Sequence, residues 1–310
     1  MLIKRCASLI RILIGVGFSW VSAQQSIAEY GLRGNVESLA SVTRAYSSER
    51  GTEVSGFLDS ELFDSIYVKF DRKRNQVLRE NYLDYRGQLG IYDRTVYQFN
   101  PQNQIEKQET TLIQNGEEPR KISQRKIYYY LKNQLQRVDE FNSGRTSDQF
   151  WVTNWVYDRG KLKEKVTWME DEIFSRNVYS WTDFHEILQE KSFSNNGSVL
   201  KTRDFFYSAD RFLEKIKTYT GNETIIETFE YHNHVKTFSK IENQKGEILK
   251  KEKYNERGWV KEIQTFNHLA KQTDVYQFEY TLDQQKNWIE CVIRKNNIPL
   301  YSIKRKIKYY

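Results

Sequence analysis

Tyr254-Asn255-Glu256-Arg257-Gly258-Trp259-Val260 decides how the rest of the chain is read. It joins an aromatic residue, a polar turn and an apolar restart. Phe99-Asn100-Pro101-Gln102-Asn103-Gln104-Ile105 has the same layout, with the same offset of six from aromatic to apolar. Trp181 to Ile187 and Tyr207 to Leu213 share that offset. Tyr130 to Leu135 and Tyr157 to Leu162 are one residue shorter. Phe70 to Val77 is one longer, and Tyr231 to Val235 is two shorter. The residues before each aromatic alternate, as in Val275-Tyr276-Gln277-Phe278-Glu279-Tyr280. Period two with aromatic and β-branched residues predicts strands. Asn, Asp and Gly tolerate the left-handed backbone that tight turns need.

Ten anchors follow: Phe70, Phe99, Tyr130, Tyr157, Trp181, Tyr207, Tyr231, Tyr254, Tyr280 and Tyr309. Their spacings run 29, 31, 27, 24, 26, 24, 23, 26 and 29, so about nine degenerate repeats of ~27 residues fill the chain. Two strands of ~8 residues and two short turns fill such a period. The expected fold is all-β: an antiparallel β-hairpin repeat array, as a curved open sheet or a barrel-like spiral. Each hairpin is expected to bury one face.

The start of the chain differs. Residues 1–23 combine a basic head (Lys4, Arg5), an apolar run and small residues at Val21-Ser22-Ala23, which is the layout of a signal peptide. Segment 24–60 is read as a short helix over Gln24–Tyr30, a turn at Gly31–Gly34, a first strand over Val36–Tyr46 and a mobile loop from Ser47 to Ser60. Residues 61–310 form the hairpin domain. The predicted location is periplasmic, outer-membrane-associated or extracellular.

Composition narrows the classes. The 310 residues carry 48 Lys and Arg against 41 Asp and Glu, with only 3 Pro, 15 Gly and 2 Cys. That excludes collagen-like chains and disulfide scaffolds. Mean hydropathy is −0.77, which excludes a helical membrane bundle. Lys4, Arg5 and Arg11 lie in the predicted leader, so the remainder carries 45 positive and 41 negative side chains, or +4. Lys304, Arg305, Lys306 and Lys308 equal that whole excess. This basic end is read either as a peripheral contact with anionic lipid or as an edge strand whose lysines discourage pairing. Nucleic acid is not expected as a partner, and no transmembrane helix remains once the leader is removed.

The turn motifs Tyr254–Val260 and Tyr157-Asp158-Arg159-Gly160-Lys161-Leu162 resemble the tyrosine-aspartate repeat of Rhs-type proteins. The chain is also similar to a group of secreted proteins of Bacteroidetes-type bacteria, through Gly31-Leu32-Arg33-Gly34-Asn35-Val36, Asn287-Trp288-Ile289 and Ile307-Lys308-Tyr309-Tyr310. The resemblance spans roughly residues 31–310. It implies a hairpin array in the envelope or outside the cell, and it carries over no catalytic residue.

Candidate chemistry is sparse. His232 and His234 sit at i and i+2 and are weak metal candidates, because zinc needs three or four ligands. Glu170-Asp171-Glu172 is read as a solvated turn. Cys291 is read as a small buried apolar residue. No nucleophile elbow, P-loop or dinucleotide fingerprint occurs. No catalytic residue and no cofactor are expected. The function expected is a non-enzymatic exported repeat protein, binding an envelope protein or glycan. The alternatives are an outer-membrane β-barrel and a glycan-active enzyme with a site assembled across repeats.

Overall fold

The computed structural model describes residues 27–45, 65–85, 88–113, 122–143 and 148–310. The predicted leader and the loop from Ser47 to Ser60 lie outside them. Twenty β-strands of one antiparallel sheet make up almost all of these residues, with one 3₁₀ turn, Ile27–Tyr30. The fold is thus all-β, an array of antiparallel hairpins. The chain divides into two compact units. The first comprises Met1–Phe150, Tyr280–Val292 and Leu300–Tyr310; the second comprises Trp151–Glu279 and Ile293–Pro299.

The first unit holds β1 (Val36–Ala45), β2 (Ser65–Phe70), β3 (Gln76–Tyr85), β4 (Gln88–Phe99), β5 (Ile105–Leu112), β6 (Ile122–Leu131) and β7 (Gln134–Ser143). It also takes most of β19 (Trp288–Lys295) and β20 (Ile298–Tyr309). β1 pairs on one side with β2, Leu39 facing Val68, and on the other with β20, Leu39 facing Ile307. β20 also pairs with β19. The C-terminal strand is therefore not an edge, and its lysines do not serve to cap one. The N-terminal strand occupies the place where an edge was expected.

The first unit's apolar core is built around this junction. Leu39, Val68 and Phe70 are fully buried, and Ile27, Tyr30 and Leu32 close over them. The Tyr30 ring meets Phe70 edge-on at 5.8 Å, and its hydroxyl donates to Gln76 Oε1 at 2.6 Å. Asn287 ties the turn before β1 in place: it accepts from the Arg33 N–H at 2.7 Å and donates to the Arg33 carbonyl at 3.0 Å. Gly34 has a φ of 83°, a left-handed conformation that calls for glycine; a Cβ there would lie 2.3 Å from Gln285 Oε1, the tip of a flexible side chain that could swing aside.

The second unit holds β8 (Asp148–Asp158) from Trp151, then β9 (Lys161–Met169), β10 (Glu172–Trp181), β11 (Ile187–Phe193), β12 (Val199–Tyr207) and β13 (Leu213–Thr220). It continues through β14 (Glu223–His232), β15 (Val235–Asn243), β16 (Ile248–Tyr254), β17 (Val260–Asn267) and β18 (Gln272–Leu282, to Glu279). Each strand from β8 to β18 pairs with its neighbour in the chain. Ile216, Ile263 and Ile293 are its most deeply buried side chains.

In both units the buried face is polar along much of its length. In the first unit Asn81 donates to Asp93 at 2.7 Å, and Thr95 and Thr110 share a bond of 2.9 Å. Lys126 lies 2.9 Å from Glu140. Burial is tolerated because cross-strand partners satisfy these groups.

Candidate functional site

The repeated turn organises the sites. Asn255 donates its N–H to the Trp259 carbonyl and accepts from Gly258 N–H, both at 2.8 Å. Its side-chain oxygen accepts from Trp259 N–H at 3.0 Å. The same backbone pair of bonds starts at Asp71, Asn100, Thr182, Ser194, Ser208, Asn243 and Asp283. In each of these except Ser194, where the Ser198 N–H goes to Asn196 Oδ1, the first residue's own side chain receives the fifth residue's N–H. The fourth position is left-handed each time: Arg74, Asn103, His185, Gly197, Arg211, Gly246, Gly258 and Lys286. The shorter copies use a different turn. Lys132-Asn133, Arg159-Gly160 and Asn233-His234 have positive φ at both residues, the type I′ hairpin. Across the ladder Phe70 faces Gln76 and Tyr231 faces Lys236, so the four offsets read from the sequence reduce to six and five, one for each turn type.

The ladder shifts register at the anchor in eight hairpins, at Phe70, Phe99, Tyr130, Tyr157, Trp181, Tyr207, Tyr231 and Tyr254. A bulge re-aims a side chain, and several anchor tips reach back one hairpin. Tyr130 donates to the Ile105 carbonyl at 3.0 Å, Tyr207 to Ile187 at 3.0 Å, and Trp181 to Leu162 at 2.5 Å. Phe70 is fully buried, whereas the other nine anchors are half-buried. Burial pushes the Tyr130 and Tyr207 phenols up to about 12. Tyr280 stacks edge-on against Trp288 at 5.9 Å, and Tyr309 packs on the core of the first unit.

The candidate binding site lies in the second unit, at the ends of β14, β15, β16 and β17. Glu230, Thr237, Phe238, Lys253, Tyr254 and Lys261 line an open depression of about 380 Å³. Lys253 is held by Glu262 at 2.9 Å. Tyr254 connects this depression to a buried ion cluster. Its hydroxyl bonds to Glu252, and Lys236 sits 4.1 Å above its ring. Ser239 also donates to Glu252 at 2.9 Å, and Lys250 lies 2.5 Å from it. Burial alone would raise Glu252; the Lys250 charge and these hydrogen bonds outweigh it and hold the carboxyl below its usual range. Glu227 goes the other way, raised chiefly by burial. Lys236 is lowered, also chiefly by burial.

Arg203, 4% exposed, belongs to the same buried face. It reaches Glu190 at 3.1 Å and stacks 5.0 Å from the Phe205 ring. Its Nε and the hydroxyl of Thr218, its cross-strand partner, have no hydrogen-bond partner. Neither the depression nor the cluster was recognised from sequence. Strand alternation assigns a Lys or Glu to the solvent side, and nothing local to Lys250 or Glu252 says otherwise.

The histidine pair is placed in a turn. His232 ends β14, and His234 is the second residue of the type I′ turn, tilted against Phe212 at 5.3 Å. Among the described residues no group of three or more His, Cys, Asp or Glu side chains could hold a metal ion. Glu170 occupies a left-handed position between β9 and β10, so the acidic run is a hairpin turn. Cys291 is a fully buried thiol. Among the described residues no helix is long and apolar enough to cross a membrane.

No protein-family model matches the chain, and no curated protein matches it. Several solved structures are similar to it at low level. A porin-like protein from Bacteroides uniformis is 10% identical with a TM-score of 0.36, covering 88% of this chain and 96% of that one. A porin-like protein from Bacteroides vulgatus is 10% identical with a TM-score of 0.24, covering 89% and 99%. TcdB2-TccC3 without its hypervariable C-terminal region is 10% identical with a TM-score of 0.31, covering 76% of this chain and 16% of that one. The tyrosine-aspartate resemblance has no family match beside it.

Proposed function

We propose that the chain is an exported, non-enzymatic binding scaffold of the bacterial envelope, and that its ligand is a glycan seated in the depression of the second unit. The observation that carries this reading is the lining. Phe238 lies among Glu230, Thr237, Lys253 and Lys261, with Glu230 and Lys253 as its cross-strand partners on the same face. An aromatic face and a ring of hydrogen-bonding groups suit a sugar, which has apolar C–H faces and polar edges. The site is carried on strand ends, which hold it in place. Fluorescence titration with envelope glycan fragments tests the reading. Saturable binding that Phe238→Ala weakens at least tenfold, with the circular dichroism spectrum unchanged, is the expected result. Unaltered binding in that variant, or turnover of the glycan, overturns it.

A second reading, an outer-membrane barrel, is favoured by one observation: β1 is paired on both sides, and a membrane-spanning sheet needs every edge paired. The exposed faces support the first reading instead. Arg94 is ion-paired with Glu80, Arg125 with Glu109, Arg176 with Glu164 and Lys253 with Glu262, and these four cations are 42–54% exposed. Such pairs add only ~0–1 kcal/mol each in water. Facing lipid near the midplane, each cation would cost about 2–4 kcal/mol.

A further inference from the structure

We propose that the first unit carries a basic docking surface for an anionic phospholipid membrane, assembled from two segments that are remote in sequence. The proposal is independent of the glycan reading. Strand register builds the surface. Lys308 faces Ser38, and Ser38 faces Lys69 on the other side. Lys306 faces Ala40, which faces Tyr67. Lys304 faces Val42. Residues opposite one another share a sheet face, so the lysines of β20 stand across a strand of short side chains from Lys69 and Tyr67. Two strand spacings, about 10 Å, separate Lys308 from Lys69.

The turn from β2 to β3 extends the patch with exposed Arg72, Lys73 and Arg74. Tyr310 joins the two parts: its hydroxyl donates to the Phe70 carbonyl at 2.6 Å, and Arg72 lies 5.7 Å from its ring. Acidic groups only partly offset this charge. Glu37 holds Lys308 at 2.8 Å and Glu290 holds Lys304 at 3.3 Å. Both lysines remain about two-thirds exposed, at 67% and 65%. Glu80, next along the Tyr67 row, is covered by Arg94. Asp71 is engaged within its turn.

A membrane fits this surface better than a single chain of polyanion. The cations spread over a sheet face and an adjoining turn rather than along a groove. Tyr67 stands among them, and Tyr310 is 51% exposed at their end. Tyrosine is at home at the headgroup level of a bilayer, and clustered Lys and Arg are drawn to anionic headgroups.

Vesicle flotation with the full chain tests the proposal. The vesicles are phosphatidylcholine alone, or phosphatidylcholine with phosphatidylglycerol at about three to one. Selective binding to the anionic vesicles is expected, and 0.5 M NaCl should abolish it, because screening at that ionic strength is short-ranged. Lys69→Glu with Lys306→Glu should weaken it at least tenfold, with the thermal midpoint unchanged. Lys163→Glu with Lys245→Glu, the same charge change on the second unit, should leave it within twofold. Equal loss in both double variants would reduce the effect to net charge and overturn the proposal. So would equal binding to both vesicle types, or tighter binding to soluble polygalacturonate than to anionic vesicles.

Discussion

Tyr207 donates its hydroxyl to the carbonyl of Ile187, the first residue of β11, at 3.0 Å. The donor closes one hairpin and the acceptor restarts the one before it. Tyr130 and Trp181 make the equivalent bond to Ile105 and Leu162. The anchor is thus more than an apolar plug. The ladder shifts register at it, and its tip links successive hairpins. Tyr207→Phe removes only the tip. A loss of about 1 kcal/mol is expected, as for one hydrogen bond, read from urea unfolding. No change would leave the ring alone responsible.

Tyr254 carries more than a single bond, through Glu252, Ser239 and Lys236. Tyr254→Ala should cost about 2–4 kcal/mol, in line with truncation of a large buried side chain. A loss below about 0.5 kcal/mol, the usual surface value, would remove it from the supporting structure.

The two buried glutamates should respond to pH with opposite sign. Glu227, raised chiefly by burial, holds its proton more tightly folded than unfolded. Its contribution therefore declines as pH rises from the unfolded value through the raised one. Glu227→Gln should stabilise at pH 7, and the gain should shrink by pH 4. Glu252 is held low by Lys250 and its hydrogen bonds against the effect of burial. Its contribution is present above the unfolded value, about 4.3, and is lost as pH falls through the folded one. Glu252→Gln should cost about 3 kcal/mol at pH 7 by removing the carboxylate paired with buried Lys250. Denaturant midpoints at pH 4 and 7 give both signs, and parallel behaviour of the two variants would contradict the assignment.

Turn chemistry gives a paired test. Gly258 has a φ of 76°, and its Cβ would meet Val235 at an ordinary 3.6 Å. Gly258→Ala should therefore cost only the left-handed backbone penalty, about 1–2 kcal/mol. His185 occupies the equivalent position with a φ of 68°. His185→Gly should be neutral to stabilising by thermal unfolding. Destabilisation of more than about 1 kcal/mol would show the imidazole to be needed there.

The hairpins were legible in sequence because their signals are local. An aromatic, an Asx and a left-handed fourth residue lie within six positions, as from Tyr254 to Gly258. Turns with Arg74 or Arg211 at that fourth position were harder to see, since no glycine marks them. The pairing of β1 with β20 was not legible, because it joins the two ends of the chain. Its consequence, Lys69 opposite Lys308 across Ser38, was hidden with it. The cluster of Arg203, Lys250 and Glu252 was also hidden. Each is an ordinary charged strand residue until its cross-strand neighbours are known.

The exposure of the ion-paired face to water is the central claim, and sedimentation velocity without detergent tests it most directly. The exported chain, purified in plain buffer, should sediment as a discrete species with a β-rich circular dichroism spectrum. A chain that aggregates without detergent, and regains β-structure only on insertion into bilayers, would contradict the claim and establish the outer-membrane reading.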